Sequence, residues 1–352
     1  MAPLIQVEEG YVPGTTISVI IPARNEEKNI VNCLVSVCEQ DFPLNLFEVI
    51  VVDDHSEDNT KEIVNRLSGI YPNLRCISLQ LQGERIVAYK KKAIETGIRA
   101  ASGKLIVTTD ADCVAPVRWL KNIAAFYENK GVVFIAAPVV IASYKKLVGL
   151  FQSLDFLSLQ GITGASVFAR FHTMCNGANL AYEKKVFEEV NGFTGIDAIA
   201  SGDDMLLMYK IYKKYPNRIS YLKSTEAIIR TEPVTSWKAF LNQRIRWAGK
   251  AKSYEDKRIF WVLVLVYSFN ISLFIMFIVS FFLPQMWMYL FGIFLLKILY
   301  ELFFLVPVAR FFGKEKLLWW FPLMQPLHVL YTIVAGFLGS YTKYEWKGRM
   351  VK

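Results

Sequence analysis

From Arg258 onward the chain becomes near-continuous Phe, Leu, Ile, Val and Trp, and that tail constrains everything before it. A membrane span needs about 20 mostly apolar residues. Residues 259–283 and 286–309 meet that length, with Lys297 and Glu301 the only charges in the second. Residues 317–340 also qualify, although Pro322 and Pro326 interrupt them. One such run can be a buried core helix. Three in succession have nowhere to be buried in a chain of 352 residues. Membrane integration is therefore expected, and the composition, 53% hydrophobic against 20% charged, owes its apolar excess to this tail.

Cations mark the ends of these segments. Lys250, Lys252, Lys257 and Arg258 precede the first, and Arg310, Lys314 and Lys316 lie between the second and third. The link around Pro284-Gln285 carries none. The positive-inside rule then puts the preceding domain in the cytoplasm. The tail, with Lys343, Lys347, Arg349 and Lys352, is basic too, which conflicts with three full crossings. Either residues 317–325 lie re-entrant or flat, or the tail is an exception; the sequence leaves both open. The formal net charge is +9; membrane lipids are expected as partners, and no nucleic acid. The N-terminal MAPLIQVEEGYVPG has no apolar h-region, so no cleavable signal peptide is expected. Five cysteines without CxxC spacing and three histidines indicate neither a disulfide framework nor a zinc site, and fit a reducing compartment.

The expected organisation is an N-terminal extension over 1–14, a catalytic domain over 15–250 and a membrane region over 251–352. Within the middle part, apolar runs alternate with helical patterns. Residues 17–21 (ISVII), 48–52 (EVIVV), 74–79 and 104–108 (KLIVT) read as strands. Residues 26–39, 60–68 and 92–101 read as helices between them. Strands separated by helices argue for a mostly parallel α/β sheet with right-handed crossovers. Polar clusters follow three of these strands: Pro22-Ala23-Arg24-Asn25-Glu26, Asp53-Asp54-His55-Ser56 and Asp110-Ala111-Asp112. Ligands of open α/β sheets bind outside the carboxyl ends of the strands, so the three clusters converge on one crevice.

Each cluster has a chemical and a structural reading. Asp53 and Asp54 can accept hydrogen bonds from a nucleobase or ribose, or cap the helix at Thr60. Without a GxGxxG after the first strand, a dinucleotide site is disfavoured. Asp110 and Asp112 offer the hard oxygen ligands that Mg²⁺ or Mn²⁺ combines with substrate phosphates; the alternative is a plain turn. Gly202-Asp203-Asp204 precedes a helical MLLMYKIYKKY, where an Asp is either a general base or an N-cap. Gln243, Arg246 and Trp247, at i, i+3 and i+4, share a helix face. Arg suits diphosphate oxygens and Trp a sugar ring, but both also suit a helix at the membrane surface.

Together the segments SVIIPARNEE, VVDDHSEDNT, KKKAIETG, DADC, CNGANLAY, GDD and QRIRW resemble the membrane-bound family-2 inverting glycosyltransferases, in order and in spacing. The likeness runs from Ser18 to about Trp247, and loosely to the closing Trp346-Lys347-Gly348-Arg349. It implies a GT-A fold and a nucleotide-diphosphate sugar donor, with a UDP-sugar the first expectation. By match to the family motifs, Asp53 or Asp54 and the Pro22–Glu26 loop (Pro22, Arg24, Glu26) contact the nucleotide, with Lys90 nearby. Asp112 is the principal metal ligand and Asp110 contacts nucleotide or donor. Asn176, Gly177 and Asn179 line the sugar pocket, and Asp204 is the base. Gln243, Arg246 and Trp247 meet diphosphate and acceptor glycan. Two departures stand out: Tyr89 where the family often has Gly, and Asp203-Asp204 where Glu-Asp is common.

The sequence thus reads as an inverting glycosyltransferase, with a divalent cation, acting on a lipid-linked or glycolipid acceptor at the cytoplasmic membrane face. A processive polysaccharide synthase subunit is the alternative. A non-catalytic envelope-assembly scaffold would show an eroded motif, and none is eroded. A nucleotidyltransferase would release pyrophosphate and has no need of the Q-x-x-R-W helix.

Overall fold

The computed structural model describes residues 3–80, 88–144, 146–171, 174–199, 201–249, 255–341, 344–346 and 349–351, with side chains through 339. Lys250, Lys252, Lys343, Lys347, Gly348 and Lys352 lie outside the described residues. The chain forms two compact units, residues 1–142 with 162–232, and 143–161 with 233–352.

The first unit is built on strands β1 (Ile17–Ala23), β2 (Phe47–Asp53), β3 (Leu74–Ser78), β4 (Leu105–Thr108), β5 (Cys113–Val114), β6 (Phe134–Ala136), β7 (Val139–Ile141), β8 (Leu180–Glu183), β9 (Ile219–Tyr221) and β10 (Ile229–Thr231). The main sheet runs β3-β2-β1-β4-β8-β6-β9. The expectation of a mostly parallel sheet holds: β3, β2, β1 and β4 pair in parallel, as do β6 and β9, and only β8 runs against its two neighbours. Val19, Ile20, Ile21, Val49, Ile50, Val51, Val52, Ile106 and Val107 are fully buried. Continuous β-branched burial is what a strand covered on both faces requires.

Helices α1 (Ile30–Cys38), α2 (Thr60–Ser68) and α3 (Tyr89–Ala100) fall between the first four strands. The helix expected over 26–39 starts only at Ile30. Asn25 sits in the left-handed region at φ 53°, and the Glu26 N–H donates to Thr60 Oγ1 at 2.7 Å. The first residues of that stretch are thus spent tying two loops together. The helix expected over 92–101 begins three residues early, at Tyr89, which brings Lys90 into its first turn. Helices α4 (Trp119–Lys130), α6 (Lys184–Glu189) and α7 (Met205–Lys214) complete this unit. A further helix, α5 (Leu147–Phe168), went unread in the sequence; its residues through Gly161 pack with the second unit.

The second unit adds α8 (Trp237–Ala248), α9 (Lys257–Val279), α10 (Met286–Phe312) and α11 (Phe321–Tyr341), the last preceded by a 3₁₀ stretch over Glu315–Trp320. Among the described residues, three helical segments are long and apolar enough to cross a membrane: Lys257–Val279, Met286–Phe312 and Glu315–Gly339. Their outward residues are apolar too, with Trp261, Leu265, Ile275, Phe291 and Phe303 all exposed. A protein in water does not leave such a surface bare. Inside the unit, Val148, Phe151 and Phe240 form one core cluster, and Leu154, Ile298, Leu305, Leu317 and Phe321 another. A short hairpin of β11 (Tyr344–Trp346) and β12 (Arg349–Val351) closes the chain.

Candidate active site

Four separate segments bring their polar residues together in the first unit. Lys90, in the first turn of α3, places Nζ 2.7 Å from Asp110 Oδ1 and 3.3 Å from Asp203 Oδ2. Asp110 follows β4, and Asp203 precedes α7. Burial works against the Lys90 charge, but Asp110 and then Asp203 outweigh it, so its ammonium is held well above the ordinary lysine value. The site is half-open: the Asp110 side chain is 35% exposed, Lys90 22% and Asp203 11%.

Asp204 lies beside this triad. Its Oδ1 accepts from the Met205 N–H at 2.7 Å, which caps α7, and its Oδ2 accepts from the Gly177 N–H at 3.3 Å. The N-cap role is therefore realised. A β-carbon at Gly177 would sit 3.1 Å from Asp203 Oδ2 and 3.4 Å from Lys90 Nζ, so a side chain there would press on both groups. Its carbonyl accepts from Thr108 Oγ1 at 3.0 Å, which ties the CNGANLAY loop to the end of β4. Asn176 turns that loop by accepting from the Ala178 N–H at 3.0 Å.

Asn179 occupies a different place. It is fully buried, its Nδ2 donates to the carbonyls of Pro138 and Ala227 at 2.7 and 2.8 Å, and its Oδ1 accepts from Trp119 Nε1 at 2.9 Å. Both of its donors are spent on the protein, joining β8 to the strands and helix around it. Arg24 is likewise buried. Its Nη1 donates to the carbonyls of Asp54 and His55 at 2.9 and 2.7 Å, and its Nη2 pairs with Glu57. The guanidinium thus shapes the loop after β2. Asp53 and Asp54 are buried at the end of that strand, and His55 Nδ1 lies 3.0 Å from Asp54 Oδ1. Pro22, next to last in β1, is half-buried, and Glu26 Oε2 accepts from Asn29.

Asp112 is half-buried two residues past Asp110, and its Oδ1 lies 3.5 Å from Cys113 Sγ. Cys33 and Cys113 lie beneath this loop, and burial, then Asp112, then Asp110, push both thiols up. They remain neutral thiols. Among the described residues no group of three or more His, Cys, Asp or Glu side chains gathers that could hold a metal alone. Two carboxylates on one loop instead match a cation that completes its shell with water and substrate phosphates.

Sequence reasoning missed Lys91. It is 2% exposed, and its Nζ donates to the carbonyls of Ile196, Ile199 and Ser201 at 2.6, 2.7 and 3.0 Å. It thereby fixes the segment leading into Gly202, whose φ of +81° sets up the turn to Asp203-Asp204. Nothing in a run of three lysines tells which one turns inward.

Gln243, Arg246 and Trp247 lie on α8, in the second unit. The hub there is a residue passed over in the motif, Arg244. It is 4% exposed, its Nε donates to Asp155 Oδ2 at 2.8 Å, and its Nη2 donates to the same oxygen. Its Nη1 donates to Gln243 Oε1 at 2.7 Å, and its guanidinium lies 4.3 Å from the centre of the Trp247 ring. Tyr331 donates to the other Asp155 oxygen. Arg244 thus holds two of the three motif residues, while Arg246 is half-buried on the same helix. A lone acid such as Asp155 in an apolar 22-residue helix was the available signal.

Two family models match the chain: Glycosyl transferase family 2 over residues 18–190, and Glycosyl transferase family group 2 over residues 105–338. Glycosyltransferase AglE of Haloferax volcanii is 36% identical over 123 residues, 35% of this chain and 39% of AglE. The probable glycosyltransferase YdaM of Bacillus subtilis is 27% identical over 242 residues, 66% of this chain and 54% of YdaM. The chain thus spans about half or less of the length of these relatives. Among solved structures, the mannosyltransferase PcManGT of Pyrobaculum calidifontis, in complex with GDP-Man and Mn²⁺, aligns with a TM-score of 0.55 at 21% identity, over 93% of this chain and 88% of that one. At that identity the likeness speaks for the fold. The family model over residues 105–338 covers more than half of the chain, and the chain belongs to the family-2 glycosyltransferases, with a GT-A-type fold.

Proposed function

We propose that this enzyme transfers a sugar from a nucleotide-diphosphate donor to a lipid-linked or glycolipid acceptor at the cytoplasmic face of a membrane, inverting the anomeric centre in one displacement. The observation that carries this reading is the convergence of Lys90, Asp110, Asp203, Asp204 and Gly177 beyond the end of β4. Lys90, held charged, faces the departing diphosphate. Asp203 is taken up by its pairing with Lys90. The Asp204 contacts are two backbone N–H groups, and it is the carboxylate that takes the proton from the attacking hydroxyl. Asp53 and Asp54, with the Pro22–Glu26 loop, meet the nucleotide; Asn179 and Arg24 shape the pocket walls from behind. Asn176 and Gly177 border the sugar.

Asp112 is the principal residue for a Mg²⁺ or Mn²⁺ ion, since Asp110 is already engaged by Lys90. Such an ion supplies neutralisation of the charge that builds on the leaving diphosphate. Gln243, Arg246 and Trp247 serve the diphosphate and the acceptor. The cytoplasmic orientation rests on Lys257, Arg258, Arg310, Lys314 and Lys316, set against the uncharged link at Pro284-Gln285. Purified enzyme offered UDP-glucose, UDP-N-acetylglucosamine and GDP-mannose with membrane lipid extract tests the reading. Nucleoside diphosphate release and a lipid-soluble product are expected. Pyrophosphate release from every donor overturns it.

A further inference from the structure

We propose that residues 315–339 form a re-entrant hairpin and not a third crossing. The chain would then end on the side from which α9 enters, with the outer face of α11 against the lipid of that leaflet. This rests on the reading that α9 and α10 cross the membrane.

The path of the chain carries the proposal. Helix α10 ends at Gly313 in the left-handed conformation, φ +62°, and the chain reverses. Leu317 and Phe321 share one core cluster with Leu305 and Ile298, and the 3₁₀ stretch packs back along the helix it has just left. At the bottom, Gln325 accepts from Lys297 Nζ, which also pairs with Glu301 at 2.7 Å. Lys297 lies thirteen residues ahead of Arg310, roughly 20 Å along the axis at 1.5 Å per residue. From there α11 climbs again. Ile333 O accepts from Tyr267 at 3.5 Å, and a β-carbon added at Gly336 would come 2.7 Å from the Tyr267 ring.

The last contact decides the direction. A β-carbon added at Gly339 would sit 2.7 Å from Ala248 Cβ and 3.0 Å from the Gly249 nitrogen. Helices α8 and α11 run the same way, since Phe240 meets Tyr331 at 5.4 Å between ring centres and Ala248 meets Gly339 eight residues on. Helix α8 carries Lys238, Arg244 and Arg246 with Asn242 and Gln243, so it cannot lie across hydrocarbon, and it precedes the first crossing. After two crossings the chain is back on that side. A third full crossing would carry Gly339 about 30 Å from Gly249, the thickness of the hydrocarbon core; the two are in contact.

The hairpin also resolves the charge conflict of the sequence, because Lys343, Lys347, Arg349 and Lys352 then share a side with Lys257, Arg258, Arg310, Lys314 and Lys316. It explains the polar groups at depth. A reversing chain cannot satisfy all its polar groups by a continuous helix, and Lys297, Glu301 and Gln325 satisfy one another at its deepest point. Trp319, Leu323 and Phe337, all exposed, form the lipid-facing side.

The full chain carrying distinct epitopes at its two ends tests this in sealed vesicles of both orientations, with external protease and a Gln285→Cys variant labelled by a membrane-impermeant maleimide, against the unsubstituted chain. Both epitopes should be removed in the same vesicle orientation, and position 285 labelled only in the other. Epitopes on opposite sides overturn the hairpin. Position 285 on the epitope side overturns the two crossings, and the membrane part of the proposed function with them. Both epitopes on the outer face uphold the hairpin while reversing the cytoplasmic orientation, so the two readings fail separately.

Discussion

The molecule holds two charged networks built to opposite specifications. In the first unit Lys90, Asp110 and Asp203 sit on loops and a helix start, with 11–35% of each side chain open to solvent. In the second, Arg244 and Asp155 face each other between two helices at 4% exposure, with Tyr331 on the remaining oxygen. A closed pair has already lost its hydration, and removing one partner strands a charge. It can hold a shape but cannot release a partner. An open network keeps water within reach, so a ligand can replace one of its members. Under the proposed function, chemistry belongs to the first and positioning to the second.

The largest effects belong to the open network. Chelation should abolish transfer, and Mg²⁺ or Mn²⁺ should restore it; full turnover in chelator removes the metal from the reading. Asp204→Asn keeps the cap on Met205, because Asn caps about as well as Asp. Loss of a general base typically costs on the order of 10²–10⁴ in rate, about 3–5 kcal/mol of barrier. Transfer should nearly stop while nucleotide affinity holds, and the melting temperature should fall only slightly, through loss of the long bond from the Gly177 N–H. Asp203→Asn should be milder in rate and should weaken donor binding, since it loosens Lys90. A collapse only in the Asp203 variant reverses the two assignments.

The closed network should answer in stability. Asp155→Asn leaves Arg244 charged and buried, a loss of about 3–5 kcal/mol, readable as a lower melting temperature in detergent. Asp155→Leu with Arg244→Met removes both charges and should recover most of that loss. A double variant as unstable as the single one refutes the stranded charge as the cause.

What the sequence made legible divides along the same line. The strands and the polar residues at their ends were readable because parallel-strand burial and loop chemistry are local in sequence. Asp110, Asp112, Asp203 and Asp204 could be named, but the Lys90 bridge could not be derived, since Asp110 and Asp203 are brought together only by the sheet. Two polar residues inside named motifs, Arg24 and Asn179, proved to spend their donors on backbone carbonyls, which no spacing reveals. Helix α5 and Arg244 escaped for a related reason. An apolar stretch with one acid looks like core, and its partner lies 89 positions away.

Trp247→Ala tests whether the closed network serves the acceptor. The ring is held by Arg244, and the donor-side cluster of the first unit is untouched by the change. Transfer to lipid acceptor should fall well beyond any change in nucleotide affinity. Equal loss in both assigns the ring to packing alone.

The smallest expected change separates positioning from stability most cleanly. Arg244→Lys keeps a buried cation against Asp155, so no charge is stranded. It removes the planar fork, and with it the bond to Gln243 and the stacking on Trp247. A net hydrogen bond is worth about 1 kcal/mol, and for a protein of this size that lowers the melting temperature by only about 2 °C. If Arg244 matters only for holding the fold, transfer should track that small shift. If it holds Gln243 and Trp247 in place, KM for the lipid acceptor should rise several-fold while nucleotide affinity stays put. Combining Arg244→Lys with Trp247→Ala should then add little to the Trp247 effect alone, because contacting residues are non-additive. Full additivity in that double variant would show that the two residues act independently, and the closed network would keep only its structural role.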